Sequence, residues 1–149
     1  MAEIEELYQE IILEHNKRPR NFGPLEGATH QADGLNPLCG DELKVSLRQE
    51  EGRIAALHFE GQGCAISKAS ASMMSEAVEG RTCDEAREIA EKVFSAFQPG
   101  GPDLVLEEDG EVAALLGVRK FPARIKCATL AWHALVCALE GSESVSTET

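Results

Sequence analysis

The sequence predicts an α+β fold, a small antiparallel sheet of about three strands with helices packed on one of its faces. Three observations carry this. Alternating apolar and polar residues, the period of a half-buried strand, are concentrated before residue 60. Helical periodicity dominates after residue 64. Strands and helices do not alternate as βαβ units, which argues against a parallel, doubly wound sheet. A length of 149 residues suits one core. Residues 1–140 are therefore expected to form a single domain, followed by a disordered tail over 141–149.

The elements follow in order. Residues 4–14 predict a short amphipathic helix, with Ile4, Leu7, Tyr8, Ile11 and Ile12 on one face and glutamates on the other. Pro19 cannot continue it, and the stretch to Pro24 reads as loop. Residues 27–34 suggest an edge strand, with Ala28, His30 and Ala32 alternating. Residues 42–48 and 53–60 alternate about a Glu50-Glu51-Gly52 turn and predict a hairpin. After Cys64, Ala65, Ala69, Met73, Ala77 and Val78 mark a helix that Gly80 ends. Thr82-Cys83-Asp84-Glu85 matches a capping box for a helix carrying Ala86, Ile89, Ala90, Val93, Phe94 and Phe97. Residues 103–121 turn from acidic to apolar and suggest a short helix around 112–116. A last helix is expected from Pro122 to about Leu139, with Ile125, Ala128, Trp132, Leu135, Val136 and Leu139 inward.

Composition narrows the function. Hydrophobic residues make up 43% and charged residues 27%, an ordinary globular balance. There are 26 acidic against 14 basic residues, a formal charge of −12. Such a surface repels phosphate backbones and anionic membranes, so neither nucleic acid nor a membrane is an expected partner. A protein with a basic docking face suits it better. The acidic N-terminus does not resemble a signal peptide, and a cytoplasmic location is expected. Five cysteines in such a chain point to metal binding, thiol chemistry or burial rather than to a disulfide framework.

Three of those cysteines fall where the backbone changes direction. Cys39 lies in a Gly/Pro-rich loop before a strand, Cys64 at a strand-to-helix junction, and Cys127 near the start of the last helix. The N–H groups exposed at a helix start favour an anionic thiolate. Asp41 follows Cys39 by two residues, with Gly40 free to let the backbone wrap around one ion. Three thiolates and a carboxylate form a four-coordinate set acceptable to zinc or iron. The carboxylate is the more labile member, which suits a site that exchanges ligands or releases its contents. With a divalent ion this set carries net negative charge, so Lys68, Arg124 or Lys126 is expected to hydrogen-bond to sulfur, with ordinary solvated cations as the alternative. From spacing alone, buried bystander cysteines remain open, because there is no CxxC pair.

At these residues the chain resembles the U-type iron–sulfur assembly proteins, the IscU, SufU and NifU N-terminal family, over about residues 3–140. Asn16-Lys17-Arg18-Pro19-Arg20-Asn21-Phe22-Gly23 is similar to the family's opening. Asn36-Pro37-Leu38-Cys39-Gly40-Asp41, the run from Phe59 through Gly63-Cys64 to Ser72, and Pro122-Ala123-Arg124-Ile125-Lys126-Cys127 to Trp132 are similar to its three cysteine motifs. The resemblance implies a SufE/IscU-like fold and a metal or cluster site at Cys39, Asp41, Cys64 and Cys127. It also implies a cysteine desulfurase partner that passes sulfur as a persulfide.

Three departures from the IscU pattern point to the SufU type. Lys126 stands where IscU proteins carry a histidine, and an ammonium has no lone pair for a metal. Lys120-Phe121-Pro122-Ala123-Arg124 replaces the chaperone-recognition stretch Leu-Pro-Pro-Val-Lys. The interval from Cys64 to Cys127 is longer. The expected function is then a zinc-binding acceptor of persulfide sulfur, at most a sulfurtransferase, with Cys39 as acceptor and Arg124 or Lys126 steadying the anion. The same residues could instead hold iron or a transient [2Fe–2S] cluster for transfer to apo-proteins. A static structural zinc in an interaction module is the reading from another class. Oligomeric state and the downstream acceptor are left open.

The other conspicuous residues have plainer readings. Cys83 and Cys137 read as structural thiols and Trp132 as core. His15 reads as a cation at a helix end, His58 as solvated, His133 as partly exposed, and His30 as a neighbour of the site rather than a ligand. Glu85, Glu88 and Glu91 read as a solvated helix face.

Overall fold

The computed structural model describes residues 2–37, 40–141 and 144–146. Helix α1 spans Ala2–Lys17, and three strands follow: β1 (His30–Asn36), β2 (Asp41–Glu50) and β3 (Arg53–Gln62). Then come α2 (Ala65–Val78), α3 (Cys83–Ala96), the single turn α4 (Leu106–Asp109), a 3-10 stretch (Gly110–Val118), α5 (Pro122–Leu139) and β4 (Ser144–Ser146). The sheet order is β3-β2-β1-β4, with β1, β2 and β3 antiparallel and β4 parallel to β1.

The expected α+β architecture is present, with helices on the buried face of an antiparallel sheet. The 50–53 turn is tight because Glu51 and Gly52 both adopt positive φ, the geometry whose twist matches paired strands. Ala32, Val45 and Phe59 face one another across the three strands and all are buried. Helix α5 lies against β1 and β2, and α2 against β3. Gly34 permits the close approach of α5, since a Cβ there would sit 3.1 Å from Leu130 Cδ1. Trp132 is fully buried, and its Nε1–H donates to Ser70 Oγ at 3.1 Å. The Thr82–Glu85 capping box is formed in both directions, at 2.9 and 3.0 Å. Glu85, Glu88 and Glu91 are exposed, as read from the sequence. No helix among the described residues is long and apolar enough to cross a membrane.

Several expectations need correction. The first helix runs three residues further than predicted, to Lys17. The first strand begins at His30 rather than at residue 27, and it is an inner strand because β4 pairs with it. Residues 144–146 were expected to lie in a disordered tail, yet they pair with Asp33, Gly34 and Leu35. The remaining tail residues 142–143 and 147–149 lie outside the described residues. The stretch around 112–116 is helical but wound as a 3-10 run over Gly110–Val118, which buries Val112, Ala113, Ala114 and Leu115. Val136 and Leu139 of α5 pack against the core as expected, whereas half-buried Ile125 does not join it.

The largest correction concerns His15. It is fully buried, with Nδ1 at 2.7 Å from Ser72 Oγ and Nε2 at 2.9 Å from Glu111 Oε1. It therefore ties α1 to α2 and to the 3-10 stretch. Positions 8, 11, 12 and 15 share one helical face, so His15 continues the apolar stripe and needs polar partners there. His15→Ala is expected to destabilise the fold by about 2–4 kcal/mol, through the lost packing and the lost bonds to Ser72 and Glu111. Urea denaturation against the parent chain would measure this, and an unchanged midpoint would show that the network contributes nothing.

Candidate metal centre

The site forms where one end of the sheet meets two helices. Asn36 and Asp41 face each other across β1 and β2, and both are buried. At the end of β3, Gly61 takes φ +131, and a Cβ there would lie 2.1 Å from Glu42 O. Glycine is required at that position, where the chain turns toward Cys64. Cys64 is the N-cap of α2, and its sulfur accepts from the Ser67 N–H at 3.5 Å. A thiol thus fills the position usually taken by serine or aspartate. Pro122 starts α5, and Cys127 lies in its second turn, fully buried.

These elements converge on Asp41. Its Oδ1 accepts from the Cys64 N–H at 2.8 Å, and its Oδ2 accepts from the Ser67 hydroxyl at 2.7 Å. The Ser67 hydroxyl also lies 3.3 Å from Cys127 O. Asn36 Nδ2 lies 3.4 Å from Asp41 Oδ2 and 3.6 Å from Cys127 Sγ. Cys64 Sγ is 3.9 Å from Asp41 Oδ2. One carboxylate oxygen of Asp41 and the sulfurs of Cys64 and Cys127 all lie within 4.8 Å of one another. A tetrahedral zinc with bonds of about 2.0–2.3 Å needs ligand–ligand edges of roughly 3.5–3.8 Å, so small side-chain adjustments suffice. The donor set of two thiols and a carboxylate fits zinc or iron. Gly63 keeps the approach open, because a Cβ there would fall 2.8 Å from Asp41 Oδ1.

Asp41, Cys64 and Cys127 are therefore brought together. Cys39 lies outside the described residues, in the connection between Asn36 and Asp41. Of the cations expected near sulfur, Lys68 places its ammonium 5.3 Å from the centre of the Phe22 ring, a cation–π contact. Arg124 is exposed and Lys126 is half-buried, both on α5 within three residues of Cys127. Several of the donors that meet the site are neutral: the Cys64 N–H, the Ser67 N–H and hydroxyl, and the Asn36 amide. Sequence reasoning did not single out Asn36 or Ser67. Ser67 could have been found as the third residue after an N-capping Cys64, where a backbone N–H meets the cap.

The remaining histidines make hydrogen-bonding or stacking contacts, and the remaining cysteines are buried or half-buried. His30 bonds to Thr29 Oγ1 at 2.8 Å, at the far end of β1 from Asn36. His58 is half-buried, with Nδ1 3.0 Å from Pro24 O. His133 stacks on Phe94 at 4.3 Å, and burial holds its pKa below the usual imidazole value. Burial pushes the Cys83 thiol up, and the Asp84 carboxylate adds to this, so it stays protonated at neutral pH. Cys137 is buried.

Comparison with known proteins supplies a second line. A family model described as the NifU-like N-terminal domain matches residues 7–128. The chain is 41% identical over 143 residues to the iron–sulfur cluster assembly scaffold protein IscU of Streptococcus pyogenes serotype M1, covering 95% of this chain and 88% of that one. It is 42% identical over 134 residues to the zinc-dependent sulfurtransferase SufU of Bacillus subtilis, covering 90% of each. The crystal structure of a nitrogen-fixing NifU-like protein (N-terminal) from Brucella abortus superposes with a TM-score of 0.82 at 25% identity, over 93% of this chain and 95% of that one.

Proposed function

Because this chain belongs to the NifU-like N-terminal domain family, we propose that it serves iron–sulfur cluster assembly as a zinc-binding acceptor of persulfide sulfur from a cysteine desulfurase. One observation carries the reading. A buried carboxylate and two thiols from three separate elements lie within 4.8 Å of one another, next to the connection that holds Cys39. The zinc-dependent relative of Bacillus subtilis, at 42% identity, supports the choice of metal.

In this proposal Cys39, Asp41, Cys64 and Cys127 hold the metal. When bound, zinc keeps the ligand thiols anionic and shielded from oxidation. Asp41, Cys64 and Cys127 are fixed by hydrogen bonds and packing. Cys39 lies between Pro37 and Gly40, where φ is +72, and is the ligand to exchange. The Cys39 thiolate attacks the outer sulfur of the partner's persulfide. One S–S bond forms on Cys39 as the partner's S–S bond breaks and leaves a thiolate there. Arg124 and Lys126, near Cys127 on α5, steady the persulfide anion that results. Cys39→Ala is expected to reduce sulfur acceptance to background in a desulfurase assay. Acceptance at the parent rate would overturn the assignment.

The scaffold reading uses the same ligands, and the Streptococcus pyogenes relative favours it by its name. Metal and acid-labile sulfide content after anaerobic purification separates the two. About one zinc per chain without iron supports the acceptor. Iron with matching sulfide and a brown colour supports a [2Fe–2S] scaffold.

A further inference from the structure

Asn36 is 1% exposed, and its Oδ1 is, among the described residues, the one buried side-chain oxygen or nitrogen without a hydrogen-bond partner. Burying an amide acceptor unpaired costs about 1–3 kcal/mol. A native core rarely tolerates this unless the other end of the group is committed. Here it is. Nδ2 faces Asp41 Oδ2 at 3.4 Å and Cys127 Sγ at 3.6 Å. Rotating the amide by a half-turn would satisfy neither neighbour, because Oδ1 would then face a carboxylate oxygen and a sulfur, both acceptors when anionic. The orphaned oxygen is thus the counterpart of an amide whose donor end is fixed on two ligand atoms.

We propose that Asn36 is a positioning residue of the metal centre, whose amide N–H groups hold the Cys127 thiolate and the Asp41 carboxylate together for the ion. This rests on the metal-site reading above. The choice of a neutral donor has a chemical reason. A lysine or arginine in the same place would stabilise the two anions but would compete with the incoming cation for their charge. An amide lowers the cost of burying them and leaves their charge available. The amide comes from β1, directly across from Asp41, so the sheet register sets its distance to both ligands. Groups that orient metal ligands in this way typically contribute 10–100-fold in affinity.

The test uses cobalt(II) in place of zinc, because thiolate–cobalt charge-transfer absorption reports the electronic state of the sulfur. Asn36→Leu, similar in size and without donors, is expected to weaken cobalt binding by about 10–100-fold in chelator competition. Its charge-transfer band should move to longer wavelength, because a sulfur relieved of a hydrogen bond gives up charge more easily. A variant that binds cobalt like the parent with an unmoved band overturns the proposal. A parent chain with no thiolate–cobalt band overturns the metal site itself, which keeps the two failures apart. Since Asn36→Leu could fail to fold, the parent chain loaded with 113Cd supplies an independent measurement. A side-chain N–H of Asn36 should show scalar coupling to the cadmium through the sulfur. Cadmium bound without that coupling overturns the proposal.

Discussion

Asp41→Asn is expected to weaken zinc binding by more than about 100-fold, beyond the range of residues that merely orient a ligand, while leaving the metal-free fold intact. The side chain is fully buried and joins the N-terminus of α2 through the Cys64 N–H at 2.8 Å and the Ser67 hydroxyl at 2.7 Å. Asparagine has the same shape, and its carbonyl can still accept the Cys64 N–H. It lacks the negative charge that binds the ion. Alanine would confound the result, since it would also strand two buried donors at about 1–3 kcal/mol each. Chelator competition gives the affinity and circular dichroism the fold. Zinc retained at full affinity would remove Asp41 from the ligand set. Loss of zinc together with loss of the fold would favour a static structural zinc.

Trp132→Ala is expected to cost about 3–5 kcal/mol in the metal-free chain, the usual range for emptying a large aromatic site. Trp132 is fully buried, and its indole N–H meets Ser70 Oγ at 3.1 Å, while the Ser70 hydroxyl donates to Ala128 O at 2.5 Å. Removing the ring therefore opens a cavity and takes a donor from a buried hydroxyl. For a chain of this size the melting temperature should fall by roughly 6–20 °C, read by differential scanning calorimetry. A fall of only a degree or two would mean that α5 repacks to fill the space. Trp132→Phe should recover most of the loss, because the ring volume is largely kept.

What the sequence revealed was what local chemistry decides. The start of α5 at Pro122, the capping box at Thr82 and Glu85, and the 50–53 turn each depend on residues within four positions of one another. The convergence of Asp41, Cys64 and Cys127 could be anticipated because few donor types bind metals and these three sit at turns of the backbone. The role of His15 was hidden because its partners Ser72 and Glu111 are far away in sequence. Asn36 was hidden for a similar reason, since its amide meets Cys127 across most of the chain. The pairing of residues 144–146 escaped because the tail composition is that of unstructured chain, while the β1 edge that receives it is a tertiary feature. The 3-10 winding of Gly110–Val118 carries no periodicity that separates it from an α-helix in so short a run.

The buried serines of α2 have a mechanical consequence. Ser67 is fastened to Asp41 and to the carbonyl of Cys127, and Ser70 to Ala128 and Trp132. Ser72 receives the Arg20 N–H and meets His15, and Ser75 receives the Asn21 amide. A greased helix can slide or roll on its neighbours, but directional bonds from α2 to β2 and α5 and to α1 and the loop after it allow a single setting. A shift of one turn would break all four fastenings at once. The Asp41, Cys64 and Cys127 cluster is therefore a vice whose two jaws, the tip of α2 and the opening turns of α5, are pinned to each other.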